Sequence, residues 1–171
     1  MPTPAYMRIE GVTQGLITKG AFTEASVGNI YVEGHEDEFL VQAASHHVNI
    51  PRDPQSGQPT GQRVHDAFTV TKIVDKSSPQ IYQALTTGER LTLCRLKMYR
   101  TSISGTQEHF FNIDLEDAIL VGVTFELPHC QDPGKAYLTA QEHLSFSYRK
   151  IIWTHEAAGT SASDDWRAPR K

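Results

Sequence analysis

Alternation of apolar and polar positions runs through most of this chain, and a period of two predicts β-strands. Cys94, Leu96 and Met98 alternate with Arg95, Lys97 and Tyr99. Phe111, Ile113 and Leu115 alternate with Asn112, Asp114 and Glu116, and Leu144, Phe146 and Tyr148 with Ser145, Ser147 and Arg149. Shorter runs of the same kind occur at Phe39, Val41 and Ala43, at His46, Val48 and Ile50, and at Phe68 and Val70. Ile119, Val121, Val123 and Phe125 form one face of a further strand. At Ile151, Ile152 and Trp153 the parity changes, which predicts a bulge or burial on both sides.

A helix is predicted over residues 79–87. Ser78 suits its N-cap and Pro79 its first position. Ile81, Ala84 and Leu85 share a face at helical spacing, and Gly88 offers a left-handed stop. So short a helix needs a sheet to pack against. Ser104-Gly105 marks a hairpin connection, and Asp132-Pro133-Gly134 a turn. The predicted fold class is mainly β: a barrel-like arrangement of two antiparallel sheets with one short flanking α-helix. Residues 1–156 are expected to form the barrel domain and 157–171 a flexible C-terminal tail, with Trp166 a candidate docking anchor. Residues 51–63 hold three prolines and two glycines but no large apolar residue. That composition predicts a long loop, which in a small domain usually has a function.

Composition narrows the functional classes. The chain has 171 residues, 39% of them apolar, and a formal net charge of -4. The charge gives no reason to expect nucleic acid, and there is no polybasic patch for an anionic membrane. No apolar run is long enough to span a bilayer, and the start lacks a secretory signal's charged and apolar regions. Synthesis in the cytoplasm without a cleaved signal is therefore expected. Of the two cysteines, Cys94 lies on an apolar face and Cys130 in a polar turn, and both are expected to be free thiols.

Catalytic chemistry finds no foothold in the sequence. Gly159-Thr160-Ser161-Ala162-Ser163 lacks the second glycine of a nucleophile elbow. Gly57-Gln58-Pro59-Thr60-Gly61-Gln62-Arg63 lacks the Lys-Ser/Thr end of a phosphate loop, and Pro59 removes a backbone donor. His46 and His47 are neighbours, so on a strand they diverge. His155-Glu156 has no second histidine at the spacing of a zinc protease helix. His35, His109 and His143 could meet only through the fold. We expect no catalytic site, no metal and no cofactor.

The specific strings are more informative. Pro4-Ala5-Tyr6-Met7, Gly11-Val12-Thr13-Gln14-Gly15 and Glu33-Gly34-His35-Glu36-Asp37 appear in order. They precede Ile50-Pro51-Arg52-Asp53-Pro54-Gln55-Ser56-Gly57-Gln58-Pro59-Thr60-Gly61 and Asp75-Lys76 before Ser78-Pro79. Ala84-Leu85-Thr86-Thr87-Gly88-Glu89, Tyr99-Arg100, Leu115-Glu116-Asp117-Ala118, Tyr148-Arg149-Lys150-Ile151 and Trp153-Thr154-His155-Glu156 complete the series. In this order the chain resembles the haemolysin-coregulated protein (Hcp) family of the bacterial type VI secretion system over nearly its whole length.

The resemblance implies a structural subunit. Copies would form a homo-hexameric ring, and Hcp rings would stack into a tube inside a contractile sheath, on baseplate proteins and under a VgrG-type spike. Small effector proteins would travel in the lumen, and the subunit would itself be secreted. No nucleic acid and no membrane insertion is implied. The loop residues Arg52, Asp53, Gln55, Ser56, Gln58, Thr60 and Arg63 are then the expected ring-stacking or subunit-interface contacts. The alternative is a monomeric β-barrel that binds a small ligand, from which solution mass distinguishes it.

Overall fold

A computed structural model describes residues 3–168. Its strands are β1 (Ala5–Gly11), β2 (Gly15–Leu16), β3 (Phe39–Ser45), β4 (Val48–Asn49), β5 (Val64–His65) and β6 (Phe68–Ile73). They continue as β7 (Arg90–Thr101), β8 (Gln107–Glu116), β9 (Ala118–Glu126), β10 (Gln141–Ser147), β11 (Lys150–His155) and β12 (Thr160–Asp165). The helices are α1 (Glu24–Val27) and α2 (Ser78–Thr87).

Ten strands hydrogen-bond as one continuous antiparallel sheet, and β4 and β5 form a separate ribbon. Strand β7 closes the barrel. One of its edges pairs with β1 from Leu91 to Met98. On its other edge Arg90 and Leu91 meet Ile119 and Ala118 of β9, and β8 pairs from Cys94 onward. The circuit therefore runs β7, β1, β3, β6, β10, β9 and back to β7, while β8, β11 and β12 extend the sheet beyond it. The fold is mainly β and barrel-like, as the alternation predicts, with hydrogen bonding continuous through both walls.

The core holds most of the predicted apolar positions, whereas Ala43, Val48 and Ile50 of the shorter runs are exposed. Leu96, Leu115, Phe68, Val70, Leu144 and Phe146 are all buried in one cluster. Strand β9 departs from its predicted pattern. Ser145 pairs with Gly122 but Phe146 pairs with Leu120, so Val121 is an extra residue, and the bulge switches parity there. Ile119 and Val121 therefore face outward, whereas Val123 packs on the core.

Helix α2 buries Ile81 and Ala84, and ends where Gly88 adopts φ 67° and its N–H reaches the carbonyls of Ala84 and Leu85. Its start differs from expectation. Ser78 is the first helical residue and not the cap. Its hydroxyl accepts from the Asp75 N–H at 3.0 Å and donates to Glu142 at 2.9 Å. That bond ties the helix to β10, which offsets its small intrinsic stability.

The expected loose tail is not what residues 160–165 form. They make β12, paired with β11 from Lys150–Asp165 to His155–Thr160. Trp166 packs on the core, and its indole N–H donates to the Tyr148 carbonyl. The strand lacks apolar alternation because its hold comes from ladder bonds and polar side chains. Residues 169–171 of the expected tail lie outside the described residues.

Candidate assembly surface

The segment expected to be a loop is a hairpin arm. Strands β4 and β5 pair Val48 with His65 and Asn49 with Val64. Arg52 then bridges Pro59. Thr60 N–H donates to the Pro51 carbonyl, and Asp53 N–H to the Gln58 carbonyl, each at 2.9 Å. The tip is organised by Asp53. Its carboxylate accepts from Gln55 N–H at 2.9 Å and from the Ser56 hydroxyl at 3.0 Å. These bonds, that from Gln55 foremost, hold the Asp53 carboxyl below its usual range. Gly57 follows at φ 73°, where a side chain would be strained.

Among the site residues predicted from sequence, Arg52, Gln55, Ser56, Gln58 and Thr60 are exposed on this arm, and Asp53 shapes its turn. Arg63 is placed differently. Its guanidinium lies at the arm's base, 2.6 Å from the Asp164 carboxylate, and donates to the carbonyls of Asp165 at 2.9 Å and Ala168 at 3.1 Å. It joins the arm to β12 within the chain. Each ionised partner favours the other: Asp164 is held below the usual carboxylate range chiefly by Arg63.

An isolated two-stranded ribbon is marginal in water. Here it also leaves Val48, Ile50 and Val64 exposed. Other exposed apolar residues are Val121 on the β9 bulge at 53%, Leu127 at 69%, Tyr137 at 81% and Ile103 at the tip of the β7–β8 hairpin. Among the described residues strand β12 pairs only with β11, which leaves its other edge open. Sequence reasoning missed the outward turn of Val121; the glycine that follows it in a strand was the available signal.

Among the described residues His35, His109 and His143 do not gather into one metal-binding group. His35 stacks on Tyr6 with centroids 3.7 Å apart, and His109 bonds Asn112. His143 contacts Thr71 at 3.0 Å on another wall. His35 and His109 each lie beside Tyr99, with ring centroids 5.2 and 5.4 Å from its own. His46 is half-buried and His47 exposed, and both lie between β3 and β4 and not on a strand. Among the described residues no three His, Cys, Asp or Glu side chains gather as metal ligands. Cys94 is buried in the core, which pushes its thiol pKa up and disfavours the thiolate, while Cys130 is exposed.

Comparison with known proteins is consistent over the whole chain. The family model for "Type VI secretion system effector, Hcp" matches residues 6–155. The "Major exported protein" of Pseudomonas aeruginosa is 61% identical over 169 residues, covering 99% of this chain and 98% of that one. A crystal structure of an Hcp protein superposes with a TM-score of 0.92 at 52% identity, covering 97% of this chain and 99% of the other. The secreted protein Hcp3 from Pseudomonas aeruginosa superposes with a TM-score of 0.81 at 50% identity, covering 95% and 99%. The chain belongs to the Hcp family of type VI secretion system proteins.

Proposed function

We propose that this protein is the tube subunit of a type VI secretion system. Hexameric rings stack into a tube within a contractile sheath and under a VgrG-type spike. Small effectors occupy the lumen, and the subunit leaves the cell with them. Its work is structural, without turnover. The observation that carries this reading is the match to an exported relative, 61% identical across nearly the full length of both chains.

The surface supports it. A ring needs a head-to-tail contact whose rotation closes, and a stack needs a second contact between ring faces. Exposed apolar residues on the arm and on β9, with the open edge of β12, supply surface for both. The arm is ordered by its own bonds before contact, which lowers the entropy lost on docking. We assign Arg52, Asp53, Gln55, Ser56, Gln58 and Thr60 to contacts between rings, with Arg63 positioning the arm from its base.

Replacing residues 55–60 with a Gly-Ser linker should leave the circular dichroism spectrum and the single-ring mass unchanged. Stacked rings seen by electron microscopy should disappear, and export should fall with them. Normal stacking and export by that variant would contradict the assignment.

A further inference from the structure

Groups more than eighty residues apart in the chain meet beneath the arm. Tyr148, just past β10, places its hydroxyl 2.5 Å from His46 Nε2 and 2.7 Å from His65 Nδ1. The other nitrogen of His65, Nε2, lies 2.7 Å from the Asp164 carboxylate on β12. Arg63 binds the same carboxylate oxygen. Trp166 lies beside His65, with ring centroids 6.1 Å apart. His46 leads into β4 and His65 ends β5, so the array spans both roots of the arm and the C-terminal strand.

We propose that this array is an acid-operated clasp, which holds the arm to β12 near neutral pH and releases both when His46 and His65 are protonated together.

Proton counting carries the argument. In the neutral array every short contact has a donor and an acceptor. His46 Nε2–H donates to the Tyr148 oxygen, Tyr148 O–H donates to His65 Nδ1, and His65 Nε2–H donates to Asp164. One added proton is accommodated. It sits on His65 Nδ1, which then donates to the phenol oxygen. The hydroxyl turns to donate to His46 Nε2, whose own proton moves to Nδ1. A second proton has no such solution. Both imidazoliums then aim N–H at one oxygen, and the hydroxyl proton loses its acceptor. The two cations are also only 6.0 Å apart between ring centroids.

Of the charges around His46, Asp66 favours an added proton, and burial outweighs it. On the arm side His46 faces His65, His47 and Asp66, and His65 shares the Asp164 carboxylate with Arg63. From β12 come Asp164, already shared with Arg63, and Asp165, which binds Arg149 at 2.9 Å. Burial first, and His65 second, hold His46 below the ordinary histidine range. The closed form thus binds fewer protons than the open one. Stability of the clasp is full above about pH 6.5 and is lost as pH falls through the lowered value.

Amide hydrogen exchange on the full chain tests this. After correction for the intrinsic rate, amides of β4, β5 and β12 should exchange about tenfold faster near about pH 5 than about pH 7.5, with β1 and β7 unmoved. His46→Gln keeps an N–H donor for Tyr148 and removes one titrating group, so it should abolish the acid response. In the wild-type protein, nitrogen NMR near neutrality should place His46's proton on Nε2 and leave His65 Nδ1 bare. An unchanged exchange pattern in acid, a full response in His46→Gln, or the reverse protonation pattern would overturn the clasp. Its effect on assembly rests on the arm's reading as a contact. Stacks that survive acid while exchange responds support the clasp and count against that reading.

Discussion

Replacing Lys72 with methionine should destabilise the protein by about 3–5 kcal/mol, because it strands buried carboxylates. Lys72 is fully buried on β6, on the same face as Phe68 and Val70. Glu142 stands directly opposite it in the β6–β10 register. The ammonium donates to Glu142 at 2.9 Å, to the Ser78 hydroxyl at 3.1 Å and to the Ile73 carbonyl at 2.8 Å, and pairs with Asp75 at 3.2 Å. A single cation thus serves two carboxylates, and removing it leaves both uncompensated at low dielectric. The damage should spread to α2, whose first turn hangs on Ser78 and Glu142. Changing Glu142 to leucine in the same chain should recover part of the loss, since an apolar pair can replace a buried ion pair. Urea unfolding of both variants at one protein concentration checks this. A loss under about 1 kcal/mol for Lys72→Met would show that the carboxylates find other partners.

Phe146→Ala should cost a comparable amount, about 3–5 kcal/mol, through an unfilled cavity. Phe146 is wholly buried and faces Phe68 across one strand boundary and Leu120 across the other. It sits where β10 joins the two halves of the closing circuit. The surrounding side chains come from β-strands held in both directions, so they have little freedom to collapse into the gap. Denaturant melts with an unchanged slope but a lowered midpoint are expected. A changed slope would mean that the substitution alters the compactness of a state and not only its stability.

Much of the fold was legible because burial imposes parity. Cys94, Leu96, Leu144 and Phe146 alternate and are buried as alternation requires. The same parity carried a signal that apolar counting passes over. Lys72 and Glu142 keep step with Phe68, Val70, Leu144 and Phe146, and so point inward. Strand β9 failed at one residue, since a bulge at Val121 moves every later side chain to the other face. Strand β12 was invisible for a different reason. Thr160, Ser161 and Ser163 are exposed on an edge, where no apolar period is demanded, and the holding partners Arg63 and Tyr148 are distant in sequence.

The proposed assembly surface was legible only as composition. Pro51, Pro54, Pro59, Gly57 and Gly61 mark a loop, but not the bonds that make it an arm, nor the root that fixes it. Arg63 reads from sequence as one more polar loop residue, whereas the fold gives it Asp164 as a partner. The contacts of His46 and His65 with Tyr148 arise from chain closure, which no local pattern encodes.

On the proposed function, the exposed arm, bulge and strand edge meet copies of the same chain. Size-exclusion chromatography with light scattering measures whether they do. The chain has a mass of 19.1 kDa. The protein should elute with the mass of a hexamer, and of multiples of it where rings stack. A species that keeps the 19.1 kDa mass of a single chain across the concentration range would contradict the ring and favour a monomeric barrel.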